Sequence, residues 1–273
     1  MDDNGVAISM LSFPTPYLWF EGAEAGQQLA RLCNEYCADL MGRYPTRFGL
    51  FAGVPPLDDT WGALREIAYA YGTLKADGIT VMTNYGGRYL GDVSFAPVLE
   101  ELNRREAVVF VHPADAACCV AVNDGAPTTT YLEFPIETAR TIMSLWTADA
   151  LTKWPKIRFI FSHGGGALPM IADRIDKFGR PAGQGAPPVH DVAPFLRGLY
   201  FDTANAASPA ALAGTRAIAD PRRVLFGSDY PYVPIRRGVD DLARATMSGS
   251  ERTAIERDNA LLLLPQVQAR MLA

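Results

Sequence analysis

Short apolar runs alternate with longer amphipathic stretches along the whole chain. The runs are rich in β-branched and aromatic residues, as strands are when both faces of their sheet are covered. The pattern therefore predicts seven strands, over residues 6–11, 48–54, 79–83, 108–112, 157–163, 199–203 and 223–229.

Between these runs, apolar side chains recur at the spacing of one helix face. One stripe runs from Leu29 to Met41, a second runs from Trp61 to Leu74, and a third covers residues 250–264 and ends at Pro265. Strands that alternate with helices predict a parallel sheet, either doubly wound or closed into a (β/α) barrel.

Composition and charge narrow the class of protein. The chain has 273 residues, of which 49% are hydrophobic, so residues 1–273 are predicted to form one domain with a large core. A net charge of −5 argues against nucleic acid as a partner. No apolar run approaches the roughly 20 residues of a membrane span, and the start MDDNGVAISM does not resemble a signal peptide, so no membrane contact and a cytoplasmic location are expected.

Three residues with acid–base or metal-binding side chains lie where predicted strands end. His112, His163 and Asp229 each close a strand, and parallel strands present ligand-binding groups at their carboxyl ends. Three glycines follow His163, which lets the backbone turn and a ligand approach the imidazole. Imidazole and carboxylate groups that converge are typical of a divalent metal site. His190, in the loop PPVHDVAP, is predicted to be solvated.

The tetrapeptide HGGG has a second interpretation, because it also forms the oxyanion loop of some serine hydrolases. Those enzymes need a nucleophile within a G-x-S-x-G turn, and the sequence contains none. A serine hydrolase is therefore disfavoured.

Several longer motifs resemble one family. They are VVFVHP, FIFSHGGGALPMIADR, LYFDTA, VLFGSDYPY and DNALLLL, together with ITVMTNYGGRYLGD before the fourth strand. They are similar to the amidohydrolase-related decarboxylases typified by aminocarboxymuconate semialdehyde decarboxylase, with methylsalicylate and resorcylate decarboxylases as relatives. The resemblance spans nearly the whole chain and implies a (β/α)8 barrel of the TIM type.

The resemblance implies a role for individual residues. His112 and Asp229 match metal ligands, with Zn2+ as the expected cofactor and Mn2+ as the alternative, and His163 matches the general acid or base beside the metal. Arg174 matches an arginine that in dimeric relatives reaches the neighbour's substrate carboxylate, so a homodimer is expected; a helix-surface ion pair is the other interpretation. Arg88 and Tyr85 are candidates for substrate contact, or belong to a solvated loop.

The sequence departs from the family at its start. The family's first strand carries His-x-His, whereas no histidine precedes His112 here. About seven strands of the eight are therefore expected. An internal start of the sequence is the favoured explanation, and true loss of the segment or its supply by a partner are the others. With only His112 and Asp229 as protein ligands, the chain by itself is expected to bind metal weakly.

The predicted function is a metal-dependent, non-oxidative decarboxylation of a small aromatic or unsaturated carboxylic acid, with His163 and Asp229 as catalytic residues. A metal-dependent amidohydrolase or lactonase is one alternative. The other is a catalytically impaired scaffold.

Overall fold

The computed structural model describes residues 1–18, 22–116, 129–178 and 191–272. Its strands are β1 (Ser9–Leu11), β2 (Phe48–Gly53), β3 (Gly78–Met82), β4 (Asn84–Tyr85), β5 (Arg88–Tyr89), β6 (Val108–His112), β7 (Arg158–Phe161), β8 (Tyr200–Asp202) and β9 (Val224–Leu225). A strand overlaps each of the seven predicted runs, and the short pair β4 and β5 was not predicted.

Seven of these strands form one parallel sheet in the order β1-β2-β3-β6-β7-β8-β9. The sheet curls into part of a barrel, and within the described residues β1 and β9 are its two edges. The predicted fold, an incomplete TIM-type barrel of about seven strands, is confirmed. The strands β4 and β5 form a separate antiparallel hairpin directly after β3.

Helices connect the strands and cover the sheet. They are α1 (Ala23–Arg43), α2 (Thr60–Gly72), α3 (Ala96–Arg104), α4 (Phe134–Thr147), α5 (Ala150–Lys153), α6 (Leu168–Phe178), α7 (Val192–Arg197), α8 (Pro209–Ile218), α9 (Ile235–Arg244), α10 (Gly249–Thr253), α11 (Asn259–Leu263) and α12 (Pro265–Leu272). The first predicted stripe lies within α1, and the second lies in α2 except for Leu74, because α2 ends at Gly72. The third stripe is α10 and α11 joined by a wider π-helical turn at Ala254–Asp258.

Local sequence explains several helix boundaries. Asp59 caps α2 by accepting a hydrogen bond from the backbone N of Gly62, and Ser208 caps α8 in the same way, with Pro209 at the first helical position. Pro265 stops α11 as predicted, but it also begins α12, because the first turn of a helix does not need the missing N–H.

The two faces of the sheet pack against different partners. Successive strand residues point to opposite faces, so Leu50 joins the main core under the helices while Phe51 joins a second cluster. That second cluster contains Phe51, Val108, Ile160, Leu225, Leu263, Leu264 and Val267. The segment formed by α11 and α12 therefore covers this second face.

An ion pair holds α12 against the amino end of β3. Both carboxylate oxygens of Asp77 accept hydrogen bonds from Arg270, each at 2.8 Å, and Oδ2 also accepts from the backbone N of Leu50 at 3.0 Å. Gln266 donates to the backbone oxygen of Asp77. The Asp77 side chain is fully buried. We call this group the Asp77–Arg270 clamp.

Candidate active site

The carboxyl ends of three strands bring His112, His163 and Asp229 together. His112 is the last residue of β6, His163 follows β7, and Asp229 lies in the loop after β9. One ligand atom from each residue lies within 4.8 Å of the other two. The His163 Nε2 is 3.8 Å from Asp229 Oδ2, and the two imidazole rings meet edge to face at 5.6 Å. We call these residues the triad.

His112 is buried and held in one orientation. Its Nδ1 lies 2.9 Å from the backbone oxygen of Pro113, so Nδ1 carries the proton and Nε2 keeps its lone pair. Phe134 packs against the ring edge. Burial, helped by the nearby His163, lowers the pKa of His112 to about 4. The imidazole is therefore neutral at physiological pH, which is the form that binds metals.

The pKa of His163 shifts in the opposite direction from that of His112. Burial disfavours its charged form, but the nearby carboxylates of Asp229 and Asp202 outweigh burial, so the pKa of His163 lies above its usual value. Its backbone N donates to Asp202 Oδ1 at 2.9 Å, and its φ of 57° is in the left-handed region. A histidine held in this way readily carries a proton.

Asp229 stays ionised. Burial alone would raise its pKa, but His163 and the amide of Asn205 lower the pKa below its usual value. Asn205 Nδ2 donates to Asp229 Oδ2 at 2.6 Å. The side chain is 18% exposed, so the carboxylate borders solvent at the mouth of the barrel.

Two residues of this site were missed from the sequence, and both belong to the segment around the end of β8. Asp202 accepts hydrogen bonds from the backbone N of His163 and of Ala204, and burial raises its pKa to about 6. The signal that could have found Asp202 is an acid at a strand end, in LYFDTA. Asn205 gave no comparable signal, because a lone asparagine in a loop is common.

The chemistry of the triad fits a divalent metal ion. A neutral imidazole with a free Nε2 and an ionised carboxylate stand beside a second imidazole, and nitrogen and oxygen donors of this kind bind Zn2+ and Mn2+. The residues of the triad can hold a metal ion.

The remaining predicted residues lie apart from the hydrogen bonds of the triad. Tyr85 is buried and accepts a hydrogen bond from the backbone N of Met82. Arg88 is exposed and pairs with Asp58. Arg174 is exposed on α6, with its guanidinium 5.1 Å from the ring centre of Phe178. Substrate contact by these three residues stays a prediction.

Two further expectations concern other parts of the chain. His190 lies outside the described residues. In the part of the chain that the structure describes, the helices are too short or too polar to cross a bilayer.

The fold and the triad define a class of protein, the barrel enzymes that carry side chains able to hold a metal ion at the strand ends. The family model described as Amidohydrolase matches residues 11–266. The chain belongs to this amidohydrolase family, and the predicted resemblance is confirmed.

A relative and two solved structures give detail. The 6-methylsalicylic acid decarboxylase of Aspergillus aculeatus is 37% identical over 275 residues, covering 96% of this chain and 82% of its own length. The crystal structure of an amidohydrolase II is 29% identical with a TM-score of 0.90, covering 97% of this chain and 86% of that one. A dihydroxybenzoic acid decarboxylase from Polaromonas sp. JS666, with bound manganese and the inhibitor 2-nitroresorcinol, is 23% identical with a TM-score of 0.86, covering 97% and 83%. Decarboxylase relatives support the predicted carboxy-lyase class.

Proposed function

We propose that this protein is a metal-dependent decarboxylase of a small aromatic carboxylic acid. The observation that carries the proposal is the triad, in which a neutral histidine and an ionised aspartate face a histidine whose pKa is raised. The similarity to 6-methylsalicylic acid decarboxylase supports an aromatic acid as the substrate.

His112 and Asp229 would hold the metal ion. When bound, the ion supplies positive charge that anchors an anionic group of the substrate. The sequence predicted Zn2+, whereas the structural neighbour from Polaromonas holds manganese, so both ions belong in the test.

His163 moves the proton. Loss of CO2 from an unprotonated ring would leave an electron pair on carbon, and protonation of that carbon before CO2 leaves avoids this charge. The imidazolium of His163 gives its proton to the ring carbon that bears the carboxylate, the bond to the carboxylate breaks, and the electrons of that bond restore the aromatic ring as CO2 leaves. Solvent then reprotonates His163. The carboxylate of Asp229 favours the charged imidazole before transfer.

The substrate carboxylate and a second protein copy are proposed together. On α6 the exposed side chains Met170, Arg174 and Phe178 follow one another at intervals of four residues and so share one face. An exposed apolar face with an arginine within it suits a homodimer in which Arg174 binds a carboxylate of the neighbour's substrate.

A cytoplasmic location also stays a prediction.

The decisive experiment is incubation of the purified protein with 6-methylsalicylate and related hydroxybenzoates, with and without Mn2+ or Zn2+. We expect metal-dependent release of CO2 and formation of the decarboxylated phenol. Hydrolysis of lactones without CO2 release would instead identify a hydrolase, and inactivity towards both substrate classes would indicate a scaffold.

Replacement of a proposed ligand tests the metal site separately. Asp229→Asn keeps the size of the side chain but removes its charge, so we expect about a hundredfold weaker binding of Mn2+. Metal analysis after dialysis measures the change. A metal content equal to that of the wild type would contradict the role of Asp229 as a ligand.

A further inference from the structure

We propose that Asn205 is a positioning residue that holds the Asp229 carboxylate ready for the metal ion. This inference rests on the proposed function and adds a residue to the same site. Asn205 lies in the loop after β8, and its side-chain Nδ2 donates to Asp229 Oδ2 at 2.6 Å. This hydrogen bond joins the loop after β8 to the loop after β9.

The hydrogen bond acts on the oxygen that also faces the catalytic histidine. Asp229 Oδ2 lies 3.8 Å from His163 Nε2 and accepts from Asn205 at the same time. The hydrogen bond from Asn205 therefore restricts rotation of the carboxylate that lies beside His163. Hydrogen bonds to a ligating carboxylate orient it, and their loss commonly weakens metal binding.

The backbone around Asn205 is itself fixed. Ala204 N donates to the buried Asp202 carboxylate, and Ala206 N donates to the backbone oxygen of Thr203. Asn205 has a φ of 53°, in the left-handed region, which asparagine tolerates better than most residues. The amide is thus carried on a tight turn attached to β8, and Asp229 at φ 57° meets it from the opposite loop.

The choice of an amide has a physical reason. An asparagine donates a hydrogen bond without adding charge, so the Asp229 carboxylate keeps its full negative charge for a cation. A lysine or arginine at this position would neutralise the carboxylate and repel the metal ion.

The test compares Asn205→Gly with the wild type in a titration of the full chain with Mn2+, with free Mn2+ counted by electron paramagnetic resonance. Glycine adopts a positive φ without strain, so this variant removes the amide and preserves the turn. We expect about tenfold weaker Mn2+ binding. Lys75→Gly is the matched control, because Lys75 also has a positive φ of 57° but lies on the surface before β3.

Kinetics distinguish positioning from substrate contact. If Asn205 acts through Asp229, excess Mn2+ restores most of the lost activity of Asn205→Gly, and KM for the acid changes little. A raised KM with unchanged Mn2+ affinity would overturn the inference, and so would equal Mn2+ affinity of variant and wild type.

The wild-type protein separates this inference from the proposed function. Normal Mn2+ binding without CO2 release would contradict the proposed decarboxylase activity. The Mn2+ titration of Asn205→Gly would then decide the role of Asn205 by itself. Failure of the wild type to bind Mn2+ would overturn the role of Asn205.

Discussion

The two ends of the sheet hold their carboxylates in opposite ways. At the amino end, Asp77 is satisfied by the two guanidinium nitrogens of Arg270 and by the backbone N of Leu50. At the carboxyl end, Asp229 borders solvent and faces two imidazoles. The charges at the amino end hold α12 in place, whereas the charges at the carboxyl end remain available to a ligand.

The largest expected effect is on chemistry at the carboxyl end. His163→Ala removes the proposed proton donor, so we expect kcat to fall by about 10³- to 10⁴-fold. The free energy of unfolding should change far less. Release of CO2 and metal content, measured on the same preparation, check this prediction. Loss of bound metal would show that His163 is a ligand instead.

A smaller effect, on stability alone, is expected at the amino end. Asp77→Ala leaves the guanidinium of Arg270 without its carboxylate, and breaking a buried ion pair in this way costs about 3 kcal/mol. Urea unfolding measures the loss, and kcat of the folded fraction should be unchanged.

The double variant Asp77→Ala with Arg270→Leu provides the control for the clamp. It removes the unpaired charge as well, so it should recover part of the lost stability. A double variant less stable than Asp77→Ala would contradict this explanation.

The smallest expected effect concerns two glycines with positive φ at the carboxyl end of the sheet, Gly166 after β7 and Gly86 between β4 and β5. A Cβ on Gly166 would lie 2.3 Å from the backbone oxygen of Pro135, next to Phe134, which packs on His112. We expect Gly166→Ala to lower the free energy of unfolding by about 2 kcal/mol and to reduce activity, because both the positive φ and the clash are unfavourable.

Gly86→Ala is the matched control for Gly166→Ala. Gly86 has a similar φ of 58°, but a Cβ there would meet no atom within 4 Å. Only the cost of the positive φ remains, so we expect Gly86→Ala to lower the free energy of unfolding by about 1 kcal/mol. Equal effects of the two variants on stability, measured by thermal unfolding, would show that the contact with Pro135 does not contribute to the loss.

Periodicity predicted the strands because each one is a compact apolar run, and the rule that parallel strands present ligands at one end predicted that His112, His163 and Asp229 would meet. The same reasoning could not find Asn205, since its contact with Asp229 depends on the conformation of two loops that come from different strands. The role of Pro265 was only half predicted, because a proline that ends one helix can also begin another. Tyr85 belongs to a polar loop pattern in the sequence. In the structure it lies in the core, where its hydroxyl accepts a hydrogen bond from the backbone N of Met82.

The parallel topology has a consequence for how the protein is made. Ser9 pairs with Phe48 and Val109 with Phe159, so every ladder of the sheet joins segments that are separated by at least one helix. Contacts between such distant segments form late and slowly, and the apolar strands stay exposed to aggregation in the meantime. Recombinant yield should therefore improve with slow synthesis at low temperature or with added chaperones, even when the native state itself is stable.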